Sequence, residues 1–377
     1  MKKYLFIAVI AVLTFVYWDV VYYPSSICAD EVEIVNEINA DIYINLYPGS
    51  YKNDTLWATR DLAVYKYDES SGCFVFSNRL WFPISTRQVL WNSRSLRTLF
   101  GRTRVGSLYT LDSGTQLFFA GAHIYRSENS EPFRIVKKRE SGIMRSGVTE
   151  DNEGNVYYGV YTTDPNKENI DIYIGKSDGE DWELFYRFSE GAIRHIHGVH
   201  YDSYRDLVWI TTGDRDDESK IGYFHADDNT TFTKIGIGSQ DWRAVSLLID
   251  EQYIYWGMDS PSVQCYIYRY DLEMNEKEKL QPIDGPAYYT AKLDDGSMLL
   301  TTTVEGGPGE LNNNVSIWIT SDGEQWERYI EIEEAKDRKG FAIASVPTGD
   351  PAPFKVFHFI NTNEYKNALL ILNSSDD

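Results

Sequence analysis

The chain has 377 residues, with 57 Asp and Glu against 36 Lys and Arg and a formal net charge of −21. That balance excludes a nucleic-acid backbone as partner, because such binding rests on Lys and Arg neutralising phosphates, and it disfavours adhesion to anionic membranes. Aromatic residues make up 15% of the chain, including 28 Tyr and 10 Trp, so any single ring is first a packing residue.

At the amino terminus, Lys2 and Lys3 precede an apolar stretch over 4–18, and Ile27-Cys28-Ala29 stands before Asp30 as a small-residue cleavage site. These features predict a signal peptide or short signal anchor over 1–29 and a secreted or cell-surface protein, touching the membrane only through that segment if it is uncleaved. Residues 30–377 then form a single domain. With Cys28 outside it, Cys73 and Cys265 are left either to pair or to stand as buried thiols. Asn53, Asn229, Asn314 and Asn373 lie in Asn-X-Ser/Thr sequons.

From about residue 40 the sequence repeats itself with a period of ~48 residues, which means one supersecondary unit stacked many times. Turn clusters carry Asp112, Asp151, Asp202, Asp250 and Asp294, spaced by 39, 51, 48 and 44 residues. Each precedes a run rich in Val, Ile, Tyr, Phe and Thr, at 116–122, 156–163, 207–212, 253–258 and 298–304. Such runs read as buried strands. A third strand, a second turn and a fourth strand complete each unit, with no helical periodicity. Four short strands per period predict an all-β fold, a β-propeller of four-stranded antiparallel blades. Seven blades fit 31–377 best, with six or eight as alternatives. In that arrangement 40–80 is a degenerate first blade, and the amino-terminal strand 31–37 pairs with an incomplete last unit to close the ring and remove its edges.

One second turn occurs twice in nearly the same form, Lys176-Ser-Asp-Gly-Glu-Asp-Trp182 and Thr320-Ser-Asp-Gly-Glu-Gln-Trp326. Both segments resemble the Asp-box, or BNR repeat, of sialidase-type β-propellers in its short Ser/Thr-x-Asp-Gly-x-x-Trp form. Thr320, Asp322, Gly323 and Trp326 match it fully, whereas Lys176 replaces the hydroxyl in the first copy. The resemblance implies a structural hairpin turn on the outer part of a blade, with the Asp organising the turn and the Trp packing between strands. It speaks to fold and leaves function open.

Candidate functional residues gather at the start of the innermost strands and after the second strands, stations that share one mouth of a propeller channel. Arg104, Arg145, Arg194 and Arg243 stand eight, six, eight and seven residues before their turn aspartates. An arginine ring would select carboxylate or sulfate through its planar fork. Trp242, Asp214 and Asp259 join it as ligand-binding candidates. Arg194-His195-Ile-His197-Gly-Val-His200 holds three of the six histidines, and strand alternation puts His195 and His197 on one face. Two ligands on one strand do not complete a metal site and no second His or Cys cluster supplies the rest, so neither metal nor cofactor is expected. Tyr288-Tyr289 and Glu305 belong to one blade and are similar to the Tyr/Glu arrangement of sialidases, although the Arg-Ile-Pro motif of those enzymes is absent.

His195, His197, Tyr288, Tyr289 and Glu305 are therefore the candidate proton-transfer residues of a carbohydrate-active enzyme, either a glycoside hydrolase or a polysaccharide lyase. Its partner would be an acidic glycan or polysaccharide. The alternative is a propeller that only binds a glycan or a surface protein. No G-x-S-x-G and no phosphate-loop motif is present.

Overall fold

The computed structural model describes residues 10, 12–29, 31–35, 38–100, 106–163 and 169–372, and it is an all-β propeller. Five blades are each built of four consecutive antiparallel strands, four of them as separate sheets and the first extended by Ser26–Cys28 at one edge and, in parallel, by Thr348–Gly349 at the other. Their first and last strands are Tyr47–Lys52 and Cys73–Arg79, Gly106–Thr110 and Arg134–Lys138, Val148–Glu150 and Asp181–Phe188, His195–Asp202 and Asp228–Ile237, and Leu248–Ile249 and Glu276–Pro282. The remaining strands join one nine-stranded sheet, because Met298–Val304 pairs along its length with Ala287–Lys292 and then, through Thr303 and Val304, with Ile343 and Ala342.

The sheet pairing thus differs from seven separate blades closed by 31–37. The strand lying against Asn367–Leu372 is Ile38–Ile44, with Ala40 opposite Leu372, and Glu31–Val35 pairs only with Ile38–Ile44. The reason lies in burial on both faces. Ala40 and Ile42 pack into one apolar cluster with Phe357 and Leu370, while Tyr43 packs into the next with Phe74 and Leu369. Residues read as the start of a first blade are therefore sandwiched at the other end of the repeat, and the first blade begins at Tyr47.

The segment before residue 30 also reaches the first blade. Ser26–Cys28 adds an outer strand to it, and Cys28 forms a disulfide with Cys73, leaving Cys265 as a buried free thiol. The expected Cys73–Cys265 pairing is thereby corrected, while the alternative of a buried free thiol holds for Cys265 alone. Asp19 accepts a hydrogen bond from the Ser95 amide at 2.7 Å, and the Arg79 guanidinium lies over the rings of Tyr23 and Trp81. Among the described residues no helix is long and apolar enough to cross a membrane.

The two similar second turns fold differently, for a reason visible in their sequences. Thr320 Oγ1 accepts from the Gly323 amide at 3.0 Å, and Asp322 Oδ1 accepts from the amides of Glu324 and Gln325 at 2.8 and 2.9 Å. Lys176 offers no such oxygen, and there Ser177, Asp178 and Gly179 run through three successive positive φ angles of 52°, 55° and 73°. Both turns end on a tryptophan packed inward: Trp182 donates Nε1–H to the Gly179 carbonyl at 2.8 Å, and Trp326 is 4% exposed.

First strands of the blades line an axial cavity of about 450 Å³, bounded by Ser50, Tyr109, Arg145, Val199, Leu247 and Tyr289. Replacing Trp326 by Ala should cost about 3–5 kcal/mol, the scale of emptying a buried aromatic site. Denaturant unfolding of the variant checks this, and a loss below 1 kcal/mol would show that Trp326 is not a packing residue.

Candidate functional site

The site forms where the strand His195–Asp202 begins and its neighbour Leu207–Gly213 ends. In their antiparallel ladder His195 lies opposite Gly213, so Asp214 emerges one residue beyond the pair. A bulge between Ile196 and Gly198 displaces His197, and the two imidazoles approach with Nε2 atoms 2.9 Å apart. Space is made by the backbone. A Cβ on Gly213 would stand 2.5 Å from the His197 ring, and one on Gly198 would stand 2.4 Å from the Val245 carbonyl oxygen.

Both rings are anchored by their other nitrogen. His195 Nδ1 donates to the Thr162 carbonyl at 2.7 Å and His197 Nδ1 to the Ala244 carbonyl at 3.2 Å. A carbonyl can only accept, so each Nδ1 carries a proton, and in the neutral ring each Nε2 is then a lone pair. Those lone pairs face Asp214 Oδ1 at 3.2 and 3.3 Å. Tyr161, which sequence reasoning missed, stacks on the His195 ring with centroids 4.2 Å apart. No spacing signal marks it, because its contact with His195 is made between neighbouring blades.

Arginines complete the cluster. Arg194 Nη1 donates to Asp214 Oδ2 at 2.9 Å. Arg243 spans two blades: its Nη1 donates to the Asp214 carbonyl at 3.1 Å, its Nη2 lies 3.3 Å from Asp214 Oδ1, and its Nε donates to buried Asp259 at 3.1 Å. Burial pushes Asp214 up, but hydrogen bonds and charge from His195 and His197, when these rings also carry a proton on Nε2, outweigh it and hold the carboxyl far below the usual range. Burial would lower Arg243, yet the charges of Asp259 and Asp214 leave it raised.

The blade after it adds an acid of different character. Tyr288 Oη donates to Glu305 Oε1 at 2.8 Å. Burial, reinforced by the charge of Asp259, raises Glu305 to about 7 despite the Tyr288 hydrogen bond and Arg243. Burial, then the charges of Asp259 and Glu305, lift Tyr288 well above an ordinary phenol. A carboxyl that changes charge near neutrality can both take and give a proton.

The structure therefore brings together Arg194, His195, His197, Asp214, Arg243, Asp259, Tyr288 and Glu305. It separates three other candidates. Arg145 lies within the axial cavity, its Nη2 donating to the Gly49 carbonyl at 3.2 Å and its guanidinium 5.4 Å from the Tyr289 ring. Tyr289 thus faces the cavity rather than Glu305, because adjacent strand residues point to opposite faces. Trp242 is a packing residue, stacked on Trp256 at 5.4 Å and covered by the Lys277 ammonium at 4.3 Å. Arg104 lies outside the described residues. His200 lies apart from the pair as a half-buried residue lining the axial cavity, where burial lowers it to about 4.

No family model and no curated protein sequence matches the chain. Solved structures do resemble it. An oligogalacturonate lyase in complex with manganese aligns with a TM-score of 0.58 at 12% identity, covering 92% of this chain and 97% of that one. A streptogramin B lyase aligns at 0.55 and 13% identity over 87% and 94%. The WD40 β-propeller domain of Doa1 aligns at 0.53 and 11% identity over 94% and 98%. The chain is similar to these β-propellers in fold.

Because Glu305 sits at about 7 in the folded protein against an ordinary 4.5, its ionisation opposes folding. Its contribution is fully present below pH 4.5 and lost as pH rises through 7. Glu305→Gln lacks that loss. Relative to wild type it should therefore gain about 1–3 kcal/mol between pH 4.5 and 8. Urea unfolding of both proteins across that range measures it, and a pH-independent difference would contradict the raised value.

Proposed function

We propose that the protein binds an acidic glycan at the mouth marked by Arg194 and Arg243 and cleaves it by proton transfer at Glu305 and Tyr288. The observation that carries this reading is the Tyr288–Glu305 hydrogen bond of 2.8 Å around a carboxyl raised to about 7. Glu305 serves as base and then acid, with Tyr288 relaying the proton, while the arginines, still 33% and 12% exposed, neutralise the sugar carboxylate. Similarity in fold to an oligogalacturonate lyase supports a uronate substrate, since galacturonate carries the required carboxylate. The sialidase-type reading, in which Tyr288 attacks the sugar with Glu305 as its base, draws on the same hydrogen bond and on the Thr320–Trp326 repeat.

Export is part of the proposal. Its support is the basic and apolar amino terminus together with the Cys28–Cys73 disulfide, a bond of oxidising compartments. We also infer that the nine-stranded sheet holds the last two of seven blades. Seven stretches of chain around the axial cavity support this count: 50–52, 109–111, 145–150, 199–204, 246–249, 289–292 and 346–351. A second reading, glycan recognition without cleavage, is favoured by one observation: Arg194 and Arg243 are already paired with Asp214 and Asp259.

Turnover on polygalacturonate, other uronate polymers and sialylated glycans distinguishes them. A lyase yields an unsaturated product absorbing in the ultraviolet, and a hydrolase yields only a new reducing end. Glu305→Gln and Tyr288→Phe should each lower turnover by about 10²–10⁴-fold with binding retained. Tight binding of an acidic glycan that wild type never cleaves would establish recognition alone.

A further inference from the structure

We propose that His195, His197 and Asp214 bind a divalent first-row transition-metal ion. This site stands independently of any glycan bound at the mouth.

The Nδ1 protons of both histidines are committed to the carbonyls of Thr162 and Ala244. With both rings neutral, what remains between them is an arrangement of acceptors. His195 Nε2, His197 Nε2 and Asp214 Oδ1 form a triangle with edges of 2.9, 3.2 and 3.3 Å. Three lone-pair atoms at such distances repel one another unless a positive charge lies among them. A single added proton can bridge only one edge, whereas a metal ion satisfies all three atoms at once.

Size and chemistry fit. Ligands about 2.0–2.1 Å from a tetrahedral ion are about 3.3–3.4 Å apart, so the triangle need open by only a few tenths of an ångström. Two imidazoles and one carboxylate are a donor set for zinc, iron, cobalt or manganese rather than for calcium. Three protein ligands also leave a coordination position for water or substrate. The imidazoles are 1% and 3% exposed but Asp214 is 27% exposed, so solvent reaches the site along the carboxylate. Supporting groups of the kind that fix ligand orientation are present: a carbonyl behind each ring, buried Asp259 at 3.5 Å from His197 Nδ1, and Tyr161 stacked on His195.

The test uses the purified chain stripped of metal and titrated by calorimetry with zinc, manganese and cobalt(II), with the metal content measured after gel filtration. Wild type should take up one equivalent, show a tetrahedral or five-coordinate cobalt(II) absorption band, and unfold at a higher temperature when loaded. Asp214→Asn and His195→Gln, each checked for native near-ultraviolet circular dichroism, should bind at least ~100-fold more weakly, since even supporting groups cost about 10–100-fold. Absence of stoichiometric uptake by folded wild type overturns the proposal, and so does undiminished uptake by both folded variants. Should neither variant fold, nuclear magnetic resonance of the cobalt-loaded wild type decides. Two paramagnetically shifted imidazole N–H signals are expected, and none would overturn it.

Discussion

The Asp214 carboxylate is where the site is held together. Arg194, Arg243, His195 and His197 all converge on it within 3.3 Å. It is supplied by the end of a second strand, the histidines by the start of the first, and Arg243 by the next blade. Through Arg243 it is joined to Asp259, whose charge adds to burial in raising Glu305 and Tyr288. Removing this one carboxylate would leave two guanidinium groups facing two imidazoles in a largely buried setting, an uncompensated charge of the kind that costs most in a protein interior.

This convergence explains how a chain of net charge −21 holds two arginines together in one cluster. The positive groups are not free for a ligand; each has a carboxylate partner inside the cluster. The arrangement resembles a pre-organised network more than an open arginine ring, and a ligand carboxylate or a metal ion would enter by competing with Asp214 or by adding to it. Glu305 stands apart from the arginines' full influence, which is why burial governs it and Asp214 goes the other way.

How much of this can be read from sequence follows from what is local and what is not. The turns were legible: Asp151, Asp202 and Asp250 each accept backbone amides two to four residues on, so their spacing reports blade period directly. The pairing of His195 with His197 followed from strand alternation. Asp214 stood among the candidates, but its place beside the histidines depends on hairpin register, in which Gly213 rather than a turn residue falls opposite His195. Tyr161 and the cavity placement of Arg145 depend on packing between blades, which no spacing encodes. Trp242 is next to Arg243 in sequence, but it ends a 3-10 turn over Gln240–Trp242 and packs on Trp256, whereas Arg243 leaves that turn toward Asp259. The role of Ile38–Ile44 was hidden for a similar reason, since its partner strand lies more than 300 residues away.

The central claim is that both histidines carry their protons on Nδ1 and turn bare Nε2 atoms toward Asp214. Long-range proton–nitrogen correlation spectra of the metal-stripped protein test it most directly, at a pH where the imidazoles are neutral. The account predicts that His195 and His197 both show the Nδ1–H tautomer, with hydrogen-bonded N–H protons protected from exchange. Nε2–H tautomers for both rings would contradict it.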